Sequence, residues 1–112
     1  MERIHYADES VLTGSEIAQG LLHYAAALAR RGTSATVDIP IRKPDGTLGR
    51  ASFLLGPASQ MVSESEDSPY EEIVDPGLLE SFASEESRLA NPQAVAAEQP
   101  RAGELPDVEI DL

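Results

Sequence analysis

Residues 35–55 read ATVDIPIRKPDGTLGRASFLL, and their pattern is the strongest indication of the fold. Apolar side chains occupy alternate positions on both sides of a turn sequence, as expected for strands with one buried face. In Pro44-Asp45-Gly46, proline presets φ and glycine supplies a positive φ. The stretch therefore predicts an antiparallel hairpin. Its inward-facing residues are Val37, Ile39, Ile41, Ala51, Phe53 and Leu55.

The segment before the hairpin predicts a helix over residues 16–31, because its apolar residues recur at helical spacing. Thr13-Gly14-Ser15 offers hydroxyl acceptors for the first backbone amides, and Gly32 is a typical stop. The acidic residue in the first turn and the two arginines in the last turn suit the helix dipole. The apolar arc comprises Ile17, Ala18, Leu21, Leu22, Tyr24, Ala25, Leu28 and Ala29.

Shorter patterns on either side complete a small domain over residues 1–62. Residues 2–7 alternate as a short strand, Val11-Leu12 suits a returning strand, and residues 60–62 suit a final one. Pro40 lacks an amide donor, so we expect its strand to lie at a sheet edge there. The prediction is an α+β domain, with an antiparallel sheet of three to four strands packed on one helix. A domain of this size buries only about 60% of its unfolded surface, so it is marginally stable alone. We therefore expect either that another chain meets the open face of the sheet or that part of the acidic half folds back over it.

The net charge of the chain arises entirely from its second half. The formal net charge is −12, and residues 1–62 carry equal numbers of acids and bases. Residues 63–112 hold fourteen acids, two arginines and five of the eight prolines. Low hydrophobicity with high charge is typical of segments that do not order themselves. We therefore predict an acidic, partly disordered arm over residues 63–112.

One short helix is predicted within the arm, over about residues 76–90. Asp75-Pro76 is a helix start signal, and Asn91-Pro92 is a stop. Residues 91–112 lack helical spacing and are predicted to be a disordered tail, although acids and aliphatic residues alternate in the last six. Seven apolar residues of the arm are the candidate partner-binding anchors. They are Leu78, Leu79, Phe82 and Leu89 in the helix, and Val108, Ile110 and Leu112 in the tail.

Catalytic and cofactor chemistry find little support in the sequence. The absence of cysteine excludes disulfides, thiolate metal sites and cysteine nucleophiles. His5 and His23 are too few for a metal site or a triad. No calcium-binding loop pattern occurs. Tyr70-Glu71-Glu72-Ile73 matches a phosphotyrosine-ligand pattern, but such a short match arises readily by chance. We therefore expect no enzyme, no catalytic residues, no metal and no cofactor.

Charge and hydropathy also limit the class of partner. A net charge of −12 repels nucleic-acid phosphates. Arg30-Arg31 and Arg42-Lys43 are the two small basic pairs, and they suit a helix end, a turn or docking of the arm. No apolar run approaches the roughly 18 residues of a membrane span, and no signal peptide is evident. We expect a cytoplasmic protein that binds neither nucleic acid nor membrane.

The favoured interpretation is a non-catalytic interaction or regulatory protein whose acidic arm binds a basic protein partner. A flexible polyanion associates fast with a cationic surface and orders on contact. One alternative is an antitoxin-like inhibitor of a basic toxin. Another is a small enzyme or ligand-binding domain that uses the open face of the sheet. The same open face suits a homodimer.

Short motifs in residues 1–60 carry a resemblance. Arg30-Arg31-Gly32, Gly49-Arg50-Ala51-Ser52 and Gly56-Pro57 make the chain look like small uncharacterised proteins of high-GC Gram-positive bacteria. The resemblance implies the same element order: a hairpin, a helix that ends in two bases and a glycine, and then a strand pair. It implies no function and does not extend to the acidic arm.

Overall fold

The computed structural model describes residues 1–90 and shows an α+β fold. Its five strands form one antiparallel sheet in the order β4-β3-β2-β1-β5. The predicted fold class, the first helix and the central hairpin are confirmed. In chain order the elements are β1 Glu2–Tyr6, β2 Glu9–Thr13, α1 Ser15–Arg30, β3 Ala35–Arg42, β4 Leu48–Leu55, β5 Met61–Ser65 and α2 Pro76–Ala90.

The sheet has five strands rather than the three to four predicted. β5 pairs with β1 along its whole length, from Glu2 opposite Ser65 to Tyr6 opposite Met61. The polar end of β5 has the composition of a linker, but its two serine hydroxyls are hydrogen-bonded to the neighbouring strand, β1. Ser63 and Ser65 donate to the Glu2 carboxylate at 2.9 and 3.2 Å. The predicted domain boundary at residue 62 therefore falls inside a strand.

Pro40 marks a local opening of the sheet. Its strand, β3, is not at the edge, because β2 lies beside it. However, the two strands register only at Leu12 and Arg42, so the segment around Pro40 has no strand partner on that side. The Pro40 carbonyl instead accepts a hydrogen bond from the fully buried Thr13 hydroxyl at 2.8 Å. Pro40 lacks a backbone amide donor, and it lies at a position where no neighbouring strand would accept a hydrogen bond from one.

The core lies between the sheet and α1. Ile17, Leu21 and Leu28 of α1 are buried, because the apolar arc of the helix faces the sheet. The predicted stop is confirmed, since Gly32 has φ +63 and its amide donates to the Ala29 carbonyl. The sheet contributes the inward-facing residues of β1, β3 and β4. The most deeply buried of these are Ile4, Ile39 and Leu55.

A second helix completes the fold. α2 covers the predicted range, and the Asp75 carboxylate accepts the Leu78 amide at 3.1 Å, as expected of an N-cap. This helix packs against α1. The two helices run parallel, since Ile73 adjoins the start of α1 and Arg31 donates to the Leu89 carbonyl at its end. Within residues 1–90 no helix is long and apolar enough to cross a membrane.

Candidate interaction surface

Phe82, a predicted partner anchor, is buried inside the fold. Its side chain is only 4% exposed, because α2 turns this face toward α1. The ring lies over Gly20, where an added Cβ would come within 2.7 Å of Phe82 Cδ2. It also packs against Tyr24 with ring centroids 5.6 Å apart. A glycine on α1 therefore creates the space into which the α2 aromatic fits.

The other anchors on α2 lie on the same side of the helix. Leu78, Leu79 and Leu89 are half-buried and pack against the core. The apolar stripe predicted to meet a partner thus meets α1, and a partner could reach Phe82 only after α2 leaves this position. The predicted tail anchors, Val108, Ile110 and Leu112, lie outside the described residues.

Residues 66–75 link β5 to α2 and form the connector. Hydrogen bonds to β1, β3 and α1 anchor this segment to the domain. At its start, Arg3 donates to both Glu66 carboxylate oxygens, at 2.6 and 2.7 Å. Further along, the Arg42 guanidinium carbon lies over the Tyr70 ring, 5.4 Å from the ring centroid. Arg42 also donates to the carbonyls of Gly46 and Glu71, both at 3.0 Å. Arg42 thus joins the hairpin turn to the connector.

The end of the connector caps α1. The helix begins after Gly14 and receives no hydrogen bond from a neighbouring hydroxyl, contrary to the expectation from Thr13 and Ser15. Instead, the Glu72 carboxylate accepts the Ser15 amide at 3.0 Å and lies 3.4 Å from the N-terminal amine. A carboxylate suits the positive end of the helix dipole. Sequence reasoning missed this role, because the capping residue lies 57 positions from the amide.

Two connector carboxyls are stabilised in their charged form by these contacts. The hydrogen bond from the Ser15 amide lowers the pKa of Glu72, and the nearby N-terminal amine lowers it further. The hydrogen bond from Arg3 lowers the pKa of Glu66 and raises that of Arg3. The acids of the connector therefore help to hold it in place, in addition to contributing surface charge.

Several other acids of this half point to solvent. Asp67, Glu71 and Glu80 are exposed, and none has an ion pair or side-chain hydrogen bond with another residue in 1–90. The described part of the C-terminal half contains one base, Arg88, whose Nε lies 3.6 Å from Glu85. This half therefore presents uncompensated negative charge on an ordered backbone.

The outer face of the sheet, opposite α1, carries polar pairs as well as exposed aliphatic side chains, and it is partly covered. His5 Nε2 lies 3.0 Å from Glu64, and Arg50 Nε lies 2.8 Å from Asp38. The connector crosses one side of this face at Tyr70 and leaves a cavity of about 290 Å³ beneath it. A wider, open groove of about 740 Å³ lies at the end of the sheet, beside the loop from β4 to β5.

The two histidines do not come together. His5 lies on the outer face of the sheet, and His23 is exposed on α1 at the opposite face. No cluster of three or more potential metal-ligating residues occurs within the described chain. The arrangement of His5 beside Glu64 is an exposed polar pair.

Comparison with known proteins found no matching family model, no similar curated protein and no similar solved structure. The resemblance seen in residues 1–60 stays a prediction.

Proposed function

We propose that the protein is a non-catalytic interaction or regulatory protein that binds a basic protein partner through the acids of its C-terminal half. The observation that carries the proposal is the exposed charge of Asp67, Glu71 and Glu80 on the ordered connector and α2. Exposed charges of one sign steer an oppositely charged protein and raise its association rate. Residues 91–112 add five acids and one arginine to the same end of the chain.

The ordered connector supports a more specific recognition than a flexible polyanion offers. Its backbone is fixed by Glu66, Tyr70 and Glu72, so the exposed acids between them keep a fixed spacing. A preorganised surface loses less conformational entropy on binding. Because Phe82 is occupied by α1, first contact with the partner falls to these acids rather than to the apolar anchors. The tail residues Val108, Ile110 and Leu112 remain candidate apolar contacts.

Affinity capture from extracts of the native cell tests this proposal, with two variants of equal charge. One carries Asp67→Asn, Glu71→Gln and Glu80→Gln. The matched control carries Asp8→Asn, Glu9→Gln and Glu16→Gln, three exposed acids of the N-terminal half.

We expect wild type and the control to retain a basic protein that the first variant loses, and the purified pair to bind at a fixed stoichiometry. Equal capture by all three chains would refute the assignment to the C-terminal acids. Equal loss in both variants would indicate nonspecific attraction to net charge.

A further inference from the structure

Strand β4 forms one edge of the sheet, and no other strand in residues 1–90 pairs with its outer side. It is eight residues long, and its sequence LGRASFLL contains one charged residue. That residue, Arg50, is already paired with Asp38. Natural sheets usually protect such an edge with charges, proline or a bulge, because its free backbone groups readily pair with another strand. The edge at β4 has little of this protection.

The hydrogen-bond pattern identifies the backbone groups of β4 that face away from the sheet. The Lys43 amide donates to the Thr47 carbonyl at 2.8 Å, and the two strands stay in register from there to Ala35 opposite Leu55. In an antiparallel pair, hydrogen-bonded and non-hydrogen-bonded positions alternate. The residues whose amides and carbonyls point away from β3 are therefore Leu48, Arg50, Ser52 and Leu54.

The side chains at these positions are self-complementary. Leu48 and Leu54 are 61% and 63% exposed, and both lie on the outer face near opposite ends of β4. An antiparallel pairing of β4 with a second β4, centred on Ala51, places each Leu48 opposite Leu54 of the other copy. It also places each Arg50 opposite Ser52 of the other copy. The two-fold symmetry produces this leucine contact twice, so all four of these leucines in the dimer become covered. No two arginines face each other directly.

The other edge of the sheet lacks these features. β5 has only five residues and carries Glu64, and two of its serines are bonded to Glu2. Short, charged edges resist pairing. On β4 itself, the Leu54 carbonyl already accepts the Tyr6 hydroxyl. Backbone pairing therefore centres on Arg50 and Ser52, and the leucines contribute side-chain contacts.

We propose that the free edge of β4 binds a second copy of this chain, through a two-fold antiparallel pairing centred on Ala51. The two sheets then continue into one sheet of ten strands. This interface uses the strand edge rather than the outer face of the sheet, and it is independent of the basic partner proposed above. Because the contact is one strand pair, we expect a dimer that dissociates on dilution.

Single-cysteine variants of the full chain test the register directly, since the protein contains no cysteine. Ala51 faces its own copy at a non-hydrogen-bonded position, where the Cα atoms are about 4.5 Å apart and within disulfide range. We expect Ala51→Cys to form a covalent dimer on mild oxidation, faster than Ser52→Cys or Val62→Cys. Val62 is 61% exposed on the other edge strand and reports random collision.

Faster cross-linking of Ser52→Cys would overturn the proposed register. Equal rates for all three variants would overturn the interface.

Sedimentation of cysteine-free variants supplies a second measurement. Leu48→Lys should weaken the dimer by at least about tenfold, because both symmetry-related contacts between Leu48 and Leu54 are lost. Val62→Lys should leave it intact. A wild-type chain that stays monomeric at high concentration, or a dimer equally sensitive to both lysines, would refute the proposal.

Discussion

Replacing Phe82 with alanine tests whether α2 is an integral part of the fold. The ring is 4% exposed, and it fills the space above Gly20 beside Tyr24. Removing a buried phenylalanine costs about 3–5 kcal/mol when its surroundings cannot collapse into the cavity. Gly20 has no side chain with which to fill the gap. We therefore expect Phe82→Ala to lower the free energy of unfolding by about 3 kcal/mol, a large part of the stability of a small domain.

Urea unfolding followed by circular dichroism measures this loss, and hydrogen exchange locates it. The amides of α2 should exchange faster in Phe82→Ala than in wild type. Ser81→Ala changes the exposed neighbour on the same helix, and it should alter stability by less than about 0.5 kcal/mol. A loss below about 1 kcal/mol for Phe82→Ala, with unchanged exchange in α2, would refute the docking of α2 on α1.

Three further outcomes are expected. Gly14→Ala should cost about 2 kcal/mol in urea unfolding, because its Cβ would overlap a connector carbonyl, whereas Gly77→Ala has room and should stabilise α2. Folding lowers the pKa of Glu72, so the carboxylate contributes fully to the free energy of unfolding above its ordinary pKa of 4.5. This contribution is lost as the pH falls through the folded pKa. Glu72→Gln should therefore flatten the loss of stability measured below pH 4.5. Limited proteolysis should not accumulate a core of residues 1–62, because β5 crosses its end; an early, stable fragment of that length would contradict this.

The elements predicted most accurately were those with strong periodicity and clear ends. The hairpin around Gly46 and the helix that stops at Gly32 combine apolar patterning with turn or cap chemistry. The ends of α2 were equally clear, because Asp75-Pro76 and Asn91-Pro92 flank it in the sequence. Local signals sufficed wherever the determinants lie within a few residues of one another.

Long-range features were not predictable from local pattern. The end of β5 is polar, and its place in the sheet depends on Glu2, about 60 residues earlier. The docking site for Phe82 is a glycine in another helix, which has no side chain to reveal its role. The apolar stripe of α2 was read as a surface for a partner, because sequence alone does not distinguish a partner's groove from α1. The exposed acids were identified by composition, but their fixed spacing became apparent only with the connector contacts.

The salt dependence of association shows whether the C-terminal acids steer the basic partner. The basic protein captured by wild type is purified, and its association rate is measured with wild type and with each of the two charge-neutralised variants, at low and physiological salt. Exposed charges are screened beyond about 8 Å at physiological salt, so steering weakens as salt rises. We predict that wild type and the N-terminal control associate fast and with a steep salt dependence. The variant lacking Asp67, Glu71 and Glu80 should associate more slowly and depend less on salt. Equal rates and equal salt dependence for both variants would contradict the account.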